Sequence, residues 1–222
     1  SFANAGGAPA SNVARWNGAS WSALGSGTDQ VVLDLAAVNG ALHAGGLFGM
    51  AGDVPVARIA RWDGNAWSAL GAGVGVTSGF ATVTSLRGSG TALFVGGSFT
   101  LAGGNPAGNV ARWDGSNWSA LGSGLGGGAA SALETFGNDL YAAGTFNAAG
   151  GQAVGYVARW NGSEWQALGS GSANGVNAPA TEVRAAGGAL YFGGTFGGTL
   201  QLASAGLIGY TPAETLFRDG FE

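Results

Sequence analysis

The stretch NVARWNGASWSALGSG, Asn12–Gly27, returns as RIARWDGNAWSALGAG from Arg58, as NVARWDGSNWSALGSG from Asn109 and as YVARWNGSEWQALGSG from Tyr156. A fixed period of roughly 20–50 residues is the signature of stacked structural units. Trp16, Trp62, Trp113, Trp160 and then Tyr210 fall at intervals of 46, 51, 47 and 50 residues. Each tryptophan of that series is followed five residues later by Trp21, Trp67, Trp118 or Trp165, so the pattern uses all eight tryptophans of the chain. Phe2, Phe48, Phe99, Phe146 and Phe196 each lie 14 residues before the aromatic. In the same register, Leu35, Leu86, Leu133 and Val183 lie seven residues before Leu42, Leu93, Leu140 and Leu190.

These anchors divide each copy into four short segments, such as ATVTSL, ALFVGGSF, NVARW and NWSAL in the second complete copy. Short apolar alternation predicts strands, and no segment shows a helical period. Asn17-Gly18, Asp63-Gly64, Asp114-Gly115 and Asn161-Gly162 separate the third and fourth segments. Both residues of such a pair tolerate positive φ, which predicts tight hairpins and antiparallel neighbours. A lone four-stranded sheet cannot bury both faces, but sheets set around an axis cover one another. The tryptophan pairs are therefore expected to fill the gaps between neighbouring sheets, the alternative being rings exposed at a rim for sugar stacking. The Gly45-Gly46, Gly96-Gly97 and Gly193-Gly194 doublets would let backbones approach closely opposite such rings.

Composition agrees with a packed domain. The 222 residues include 46 glycines, 46% apolar residues and only 9% charged ones, which excludes a charged disordered chain. The eight basic residues are all arginine against twelve acids, and a net charge of −4 argues against a nucleic-acid partner. Without cysteine there are no disulfides, thiolate metal sites or thiol nucleophiles. No apolar run reaches the roughly 18 residues needed to span a bilayer.

A Gly-Gly doublet ending the second strand, an aromatic in the third and a Trp in the fourth resemble the kelch-type repeat, seen well over residues 41–67. The resemblance reaches nearly to Tyr210 and is to bacterial kelch-like or galactose-oxidase-like β-propellers, and also to the propeller segment of the fungal cortical cell-polarity marker family. It implies an all-β propeller of four-stranded blades, with about four repeats of 46–51 residues. Complete units are expected at 31–70, 82–121 and 131–168, with partial ones at 1–24 and 181–210. Departures are Ala143-Gly144 in place of a doublet, and Tyr210 and Thr215 where the last unit should carry tryptophans. Either the two ends join into one blade, or the chain is an arc of a larger propeller. The start SFANAGG matches SFTLAGG within a unit and favours the arc. The terminal ETLFRDGFE, within a tail at 211–222, resembles a short terminus of exported proteins in some Gram-negative bacteria, implying an extracytoplasmic, sorting-type ending.

The fold implied by the resemblance hosts enzymes, lectins and scaffolds alike, so activity has to be sought in individual residues. His43, the only histidine, takes the slot of Phe94, Tyr141 and Tyr191 and reads as a packed aromatic substitute. One His and no Cys cannot assemble the copper site of galactose oxidase, and no nucleophile elbow is present. The GSG and GAG clusters at Gly25, Gly71, Gly122 and Gly169 precede no helix, so they read as turns between blades rather than phosphate loops. Arg15, Arg61, Arg112 and Arg159 hold one position in every copy, which points to a shared structural task. Residues beside the first-strand anchor vary instead. There Asp34, Arg87, Glu134, Glu182 and Arg184 are the candidate ligand-binding set, at the edge of a central channel. The connections at 72–81 and 169–180 also vary in length, and binding gathers on variable loops. No catalytic residue, metal ligand or cofactor is assigned. The sequence is read as a non-enzymatic extracytoplasmic module binding a protein or glycan, or seated in a longer chain. A lectin-like propeller, and a hydrolase or lyase using channel carboxylates, are the alternatives.

Overall fold

The computed structural model describes residues 1–169, 174–197 and 206–210. The expected tail at 211–222, with Thr215, lies outside the described residues, as does 170–173 of one variable connection. Among the described residues the chain is all-β. Three sheets have four strands each, and in each of them the strands are hydrogen-bonded in chain order. The first sheet holds Val32–Val38, Ala41–Gly46, Ile59–Trp62 and Trp67–Ala69; the second holds Thr82–Ser89, Ala92–Ser98, Val110–Trp113 and Trp118–Ala120. The third holds Ala130–Phe136, Asp139–Gly144, Val157–Trp160 and Trp165–Ala167. An N-terminal hairpin, Ala14–Trp16 with Trp21–Ala23, supplies only third and fourth strands. A C-terminal sheet supplies Ala180–Ala186, Ala189–Gly194 and Leu207–Tyr210.

Contacts divide the chain into two compact units. One comprises Ser1–Val95, Phe99–Pro106 and Arg112–Ser119; the other comprises Gly96–Ser98, Ala107–Ala111 and the residues from Ala120 onward. In the first, Val13, Leu24, Ala44, Phe48, Ala60 and Trp67 form a buried cluster between the N-terminal hairpin and the first sheet. In the second, Tyr141, Val157, Leu168, Val183, Phe192 and Phe196 form the corresponding cluster.

The third-to-fourth hairpins differ from the expectation in one respect. Only the glycine takes positive φ, with Gly18, Gly64, Gly115 and Gly162 at 101–106°. The preceding Asn or Asp acts through its side chain instead. Asp63 Oδ1 accepts from the backbone N–H of Asn65 and Ala66, each at 2.9 Å, and Asn17, Asp114 and Asn161 repeat that pattern. The side chain thus closes a four-residue loop in which the strand ends remain paired as Trp62 with Trp67. These donors hold the Asp63 and Asp114 carboxyls below the usual range.

The sequence reading did not anticipate the left-handed residue that opens each third strand. Asn12, Arg58, Asn109, Tyr156 and Gly206 have φ of 61–82°. The carbonyls of Arg58, Asn109, Tyr156 and Gly206 each accept from the second residue of the Gly doublet register: Gly46, Gly97, Gly144 and Gly194. At Gly46, Gly144 and Gly194 a Cβ would collide with the carbonyl oxygens of Val31, Ala129 and Pro179. Hence the second glycine is retained even where the first has become Ala143.

Short hairpins also fill the connections between second and third strands, as at Leu101–Ala102 with Asn105–Pro106. Parts of two sheet-to-sheet connections pair with the next such hairpin: Val74–Gly75 with Leu101–Ala102, and Leu125–Gly126 with Ala148–Ala149. The expected variable connection at 72–81 is therefore partly strand.

The first glycine of the doublet is a packing seat. A Cβ on Gly45 would strike Val83 and come within 3.3 Å of Leu86 Cδ1, whereas one on Gly193 meets nothing closer than 3.8 Å. Gly45→Ala should lower unfolding free energy by about 1–3 kcal/mol, as overpacking does. Gly193→Ala should leave it within about 0.5 kcal/mol, as expected for an open site. Urea titration of the two variants compares them.

Candidate functional site

The indole pairs are set first by their own hairpins. Trp16 faces Trp21 across the strand pair, as Trp62 faces Trp67 and Trp160 faces Trp165. Ring centroids in the four pairs lie 5.2–5.6 Å apart at tilts of 48–55°. That geometry is the same whether or not a pair is covered. What differs is the neighbour.

Three fourth-strand tryptophans reach back to the preceding copy. Trp67 Nε1 donates to the Leu24 carbonyl at 2.7 Å, Trp118 Nε1 to Leu70 at 2.7 Å, and Trp165 Nε1 to Leu121 at 2.8 Å. The glycine after each leucine lies under both rings of the pair: Gly25 under Trp62 and Trp67, Gly71 under Trp113 and Trp118, Gly122 under Trp160 and Trp165. The GSG and GAG clusters thus form the floor on which the next pair rests. Burying such a ring removes about 150–250 Å² from water, or about 4–6 kcal/mol at 25 cal/mol per Å² as an upper bound.

Among the described residues the first pair has no such floor. Trp21 is 47% exposed against 5% for Trp67, and Leu35 is 46% exposed against 4% for Leu86. Trp16 and Phe2 are open as well, although Phe48, Phe99, Phe146 and Phe196 are all buried. Phe2, Asn4, Asn12, Val13, Trp21 and Leu35 line a groove of about 450 Å³. Its polar groups are few, and Asn12 Nδ2 already donates to the Thr28 carbonyl at 2.8 Å. This groove is the candidate site. Its residues were read as structural in the sequence, and the signal that sets them apart is their place at the first position of the series.

The five residues proposed for a channel occupy different surroundings. Asp34 Oδ2 accepts from the Leu86 backbone N–H at 2.7 Å and Oδ1 from its neighbour Leu35 at 2.8 Å, so it ties the first sheet to the second. Arg87 is half-buried on the second sheet's first strand. Glu134 is buried and Oε1 accepts from the Thr135 N–H at 2.9 Å. Glu182 and Arg184 form an exposed ion pair at 3.0 Å. Glu134 and Glu182 thus differ in both burial and partners. Asp34 and Glu182 do share a place, since each follows a β-bulge in its first strand. Among the described residues no group of three or more His, Asp or Glu is placed to hold a metal ion.

His43 is 4% exposed and packed, in the slot where Tyr141 is fully buried. Among the described residues its Nδ1 and the Tyr141 hydroxyl find no hydrogen-bond partner. A cavity of about 60 Å³ lies beside it, lined in part by Asn39, Arg61, Thr91 and Trp113. Burial, then the Arg61 guanidinium, lowers the His43 pKa, and burial raises Tyr141 to about 12. The four equivalent arginines do not share one partner. Arg159 Nε and Nη2 each lie 2.8 Å from Asp139 Oδ2, and the positions matching Asp139 are Ala41, Ala92 and Ala189.

No family model matches the chain, and no curated protein matches it.

Trp165→Phe removes the buried indole N–H and part of the ring, leaving the Leu121 carbonyl with the Gly124 N–H alone at 3.0 Å, and should cost about 1–3 kcal/mol in chemical denaturation. Trp21→Phe should cost almost nothing by the same measure. His43 gives a separate signature. Its folded pKa lies below the ordinary 6.5, so the unfolded chain binds the proton more readily. Stability should be constant above that value and fall as pH drops from it towards the folded pKa. His43→Phe, tested by thermal melts between pH 4 and 8 (roughly the histidine range), should remove that part of the slope.

Proposed function

We propose that the chain is a non-enzymatic, extracytoplasmic β-propeller module that binds a protein partner or supports a larger surface protein. Four-stranded meanders in one strand order, each tied by an indole to the copy before it, support the propeller part of this reading. Among the described residues no helix is long and apolar enough to cross a membrane. The resemblance of the last residues to an export terminus supports the location.

The observation that carries the interaction reading is the open groove at Phe2, Trp21 and Leu35. Clustered exposed apolar side chains mark protein contacts. Aromatic residues are also enriched where proteins meet. A lectin reading has one observation in its favour, the half-exposed Trp16–Trp21 pair. Sugar recognition also needs several convergent polar groups, and this groove supplies few. Glu134 is buried whereas Glu182 is exposed and ion-paired, and this difference in surroundings favours the non-enzymatic reading over a carboxylate-based hydrolase.

A glycan array probed with the wild type and with a Trp16→Ala/Trp21→Ala variant separates the readings. The expected result is no retained glycan for either protein. A glycan held by the wild type and released by the variant would replace the protein-interaction reading with the lectin one.

A further inference from the structure

Within the chain, one sheet meets the next by seating first-strand apolar side chains on a small residue of the second strand before. Gly45 seats Val83 and Leu86; Gly96 seats Ala130 and Leu133, at 3.0 and 3.1 Å from where a Cβ would lie. Where the seat has gained a methyl group, as Ala143, the knob has shrunk to Ala180 and Val183 in the same buried cluster. Knob and seat are matched in volume. A polar tie accompanies the first of these seats, the Asp34 carboxylate accepting from the Leu86 N–H.

Among the described residues the series leaves one knob and one seat over. At the N-terminal end, Val32 and Leu35 stand in the register of Val83 and Leu86, and Leu35 is exposed together with Leu33, Phe2 and Trp21. At the C-terminal end, Gly193 stands in the register of Gly45 and Gly96. Gly45 and Gly96 are buried, whereas Gly193 is half-exposed, and among the described residues the side-chain atom nearest to a Cβ built there is Glu182 Cβ at 3.8 Å. The left-over seat is a glycine, which is what a Val-plus-Leu knob needs. Beside it Glu182 stands in the register of Asp34, exposed, with Arg184 as its ion-pair partner.

We propose that these two surfaces join two copies of the chain head to tail. Val32 and Leu35 of one copy seat on Gly193 of the next, beside the Glu182 carboxylate of that copy. The contact continues the interface already used between sheets, and the chain carries both of its halves. Because the halves differ, the association is heterologous and grows into a ring or a filament. The inference rests on the interaction reading and names its partner.

Sedimentation of the wild type over a range of concentrations should show mass rising above the 21.6 kDa of one chain. Leu35→Arg removes the knob and Gly193→Leu fills the seat, so each alone should stay at monomer mass. An equimolar mixture should form a dimer and nothing larger, since each variant keeps the half that the other lost. Circular dichroism checks that both fold. If either does not, Leu35→Cys and Gly193→Cys serve in its place, because the chain has no cysteine. A short thiol-reactive linker should then join the two variants when mixed and neither one alone. A wild type that stays monomeric, a mixture that does not dimerise, or cross-linking equal in all samples would overturn the proposal. A monomeric wild type would mean that the knob closes on its own chain or takes another occupant, and would leave the glycan-array comparison to decide the interaction reading.

Discussion

Each four-stranded sheet among the described residues has an apolar face that another sheet covers, and the indole N–H donated to a leucine carbonyl fixes where that cover lies. A four-stranded meander pairs the backbone of its inner strands but leaves large rings on its surface. The bonds from Trp67, Trp118 and Trp165 pin those rings to a floor of Leu and Gly in the copy before. A buried indole needs an acceptor, and the leucine carbonyl that already closes a turn with a glycine N–H has a second lone pair to offer. That contact is why the sequence carries the Trp and the Leu-Gly three residues beyond it as a single phrase.

That dependence makes the chain directional. Each copy presents a knob on one side and a seat on the other, and burial of any copy depends on its neighbour. The exposed Trp21 and Leu35 are therefore not irregularities of the first copy, because their hairpin and ring geometry are those of the covered copies. They are ordinary core positions at the end of a series. The same reasoning gives Gly193 its meaning.

Much of this was legible in the sequence because the pattern is spaced by large anchors. Phe48, Phe99, Phe146 and Phe196 keep a constant distance to the aromatic, and all four are buried. The three complete four-stranded sheets fall where the anchors place them. The left-handed residue four places before each third-strand aromatic was hidden, because Asn12 and Asn109 suggest it while Arg58 and Tyr156 do not. The Asp and Asn of the hairpins were placed correctly but given the wrong task, since composition cannot distinguish a residue that adopts positive φ from one that caps with its oxygen. The varied charges near the first-strand anchor were read as one set. Their surroundings differ: Asp34 ties sheets, Glu134 is buried, and Glu182 pairs with Arg184. Sequence variation between copies marks differences in surroundings as readily as it marks a ligand.

Hydrogen exchange at the eight indole N–H groups, followed by NMR in dilute solution, tests the central claim most directly. The account predicts slow exchange at Trp67, Trp118 and Trp165, and fast exchange at Trp21. Equal, rapid exchange at all four would contradict it, because the rings would then be open to water and the bonds between copies absent.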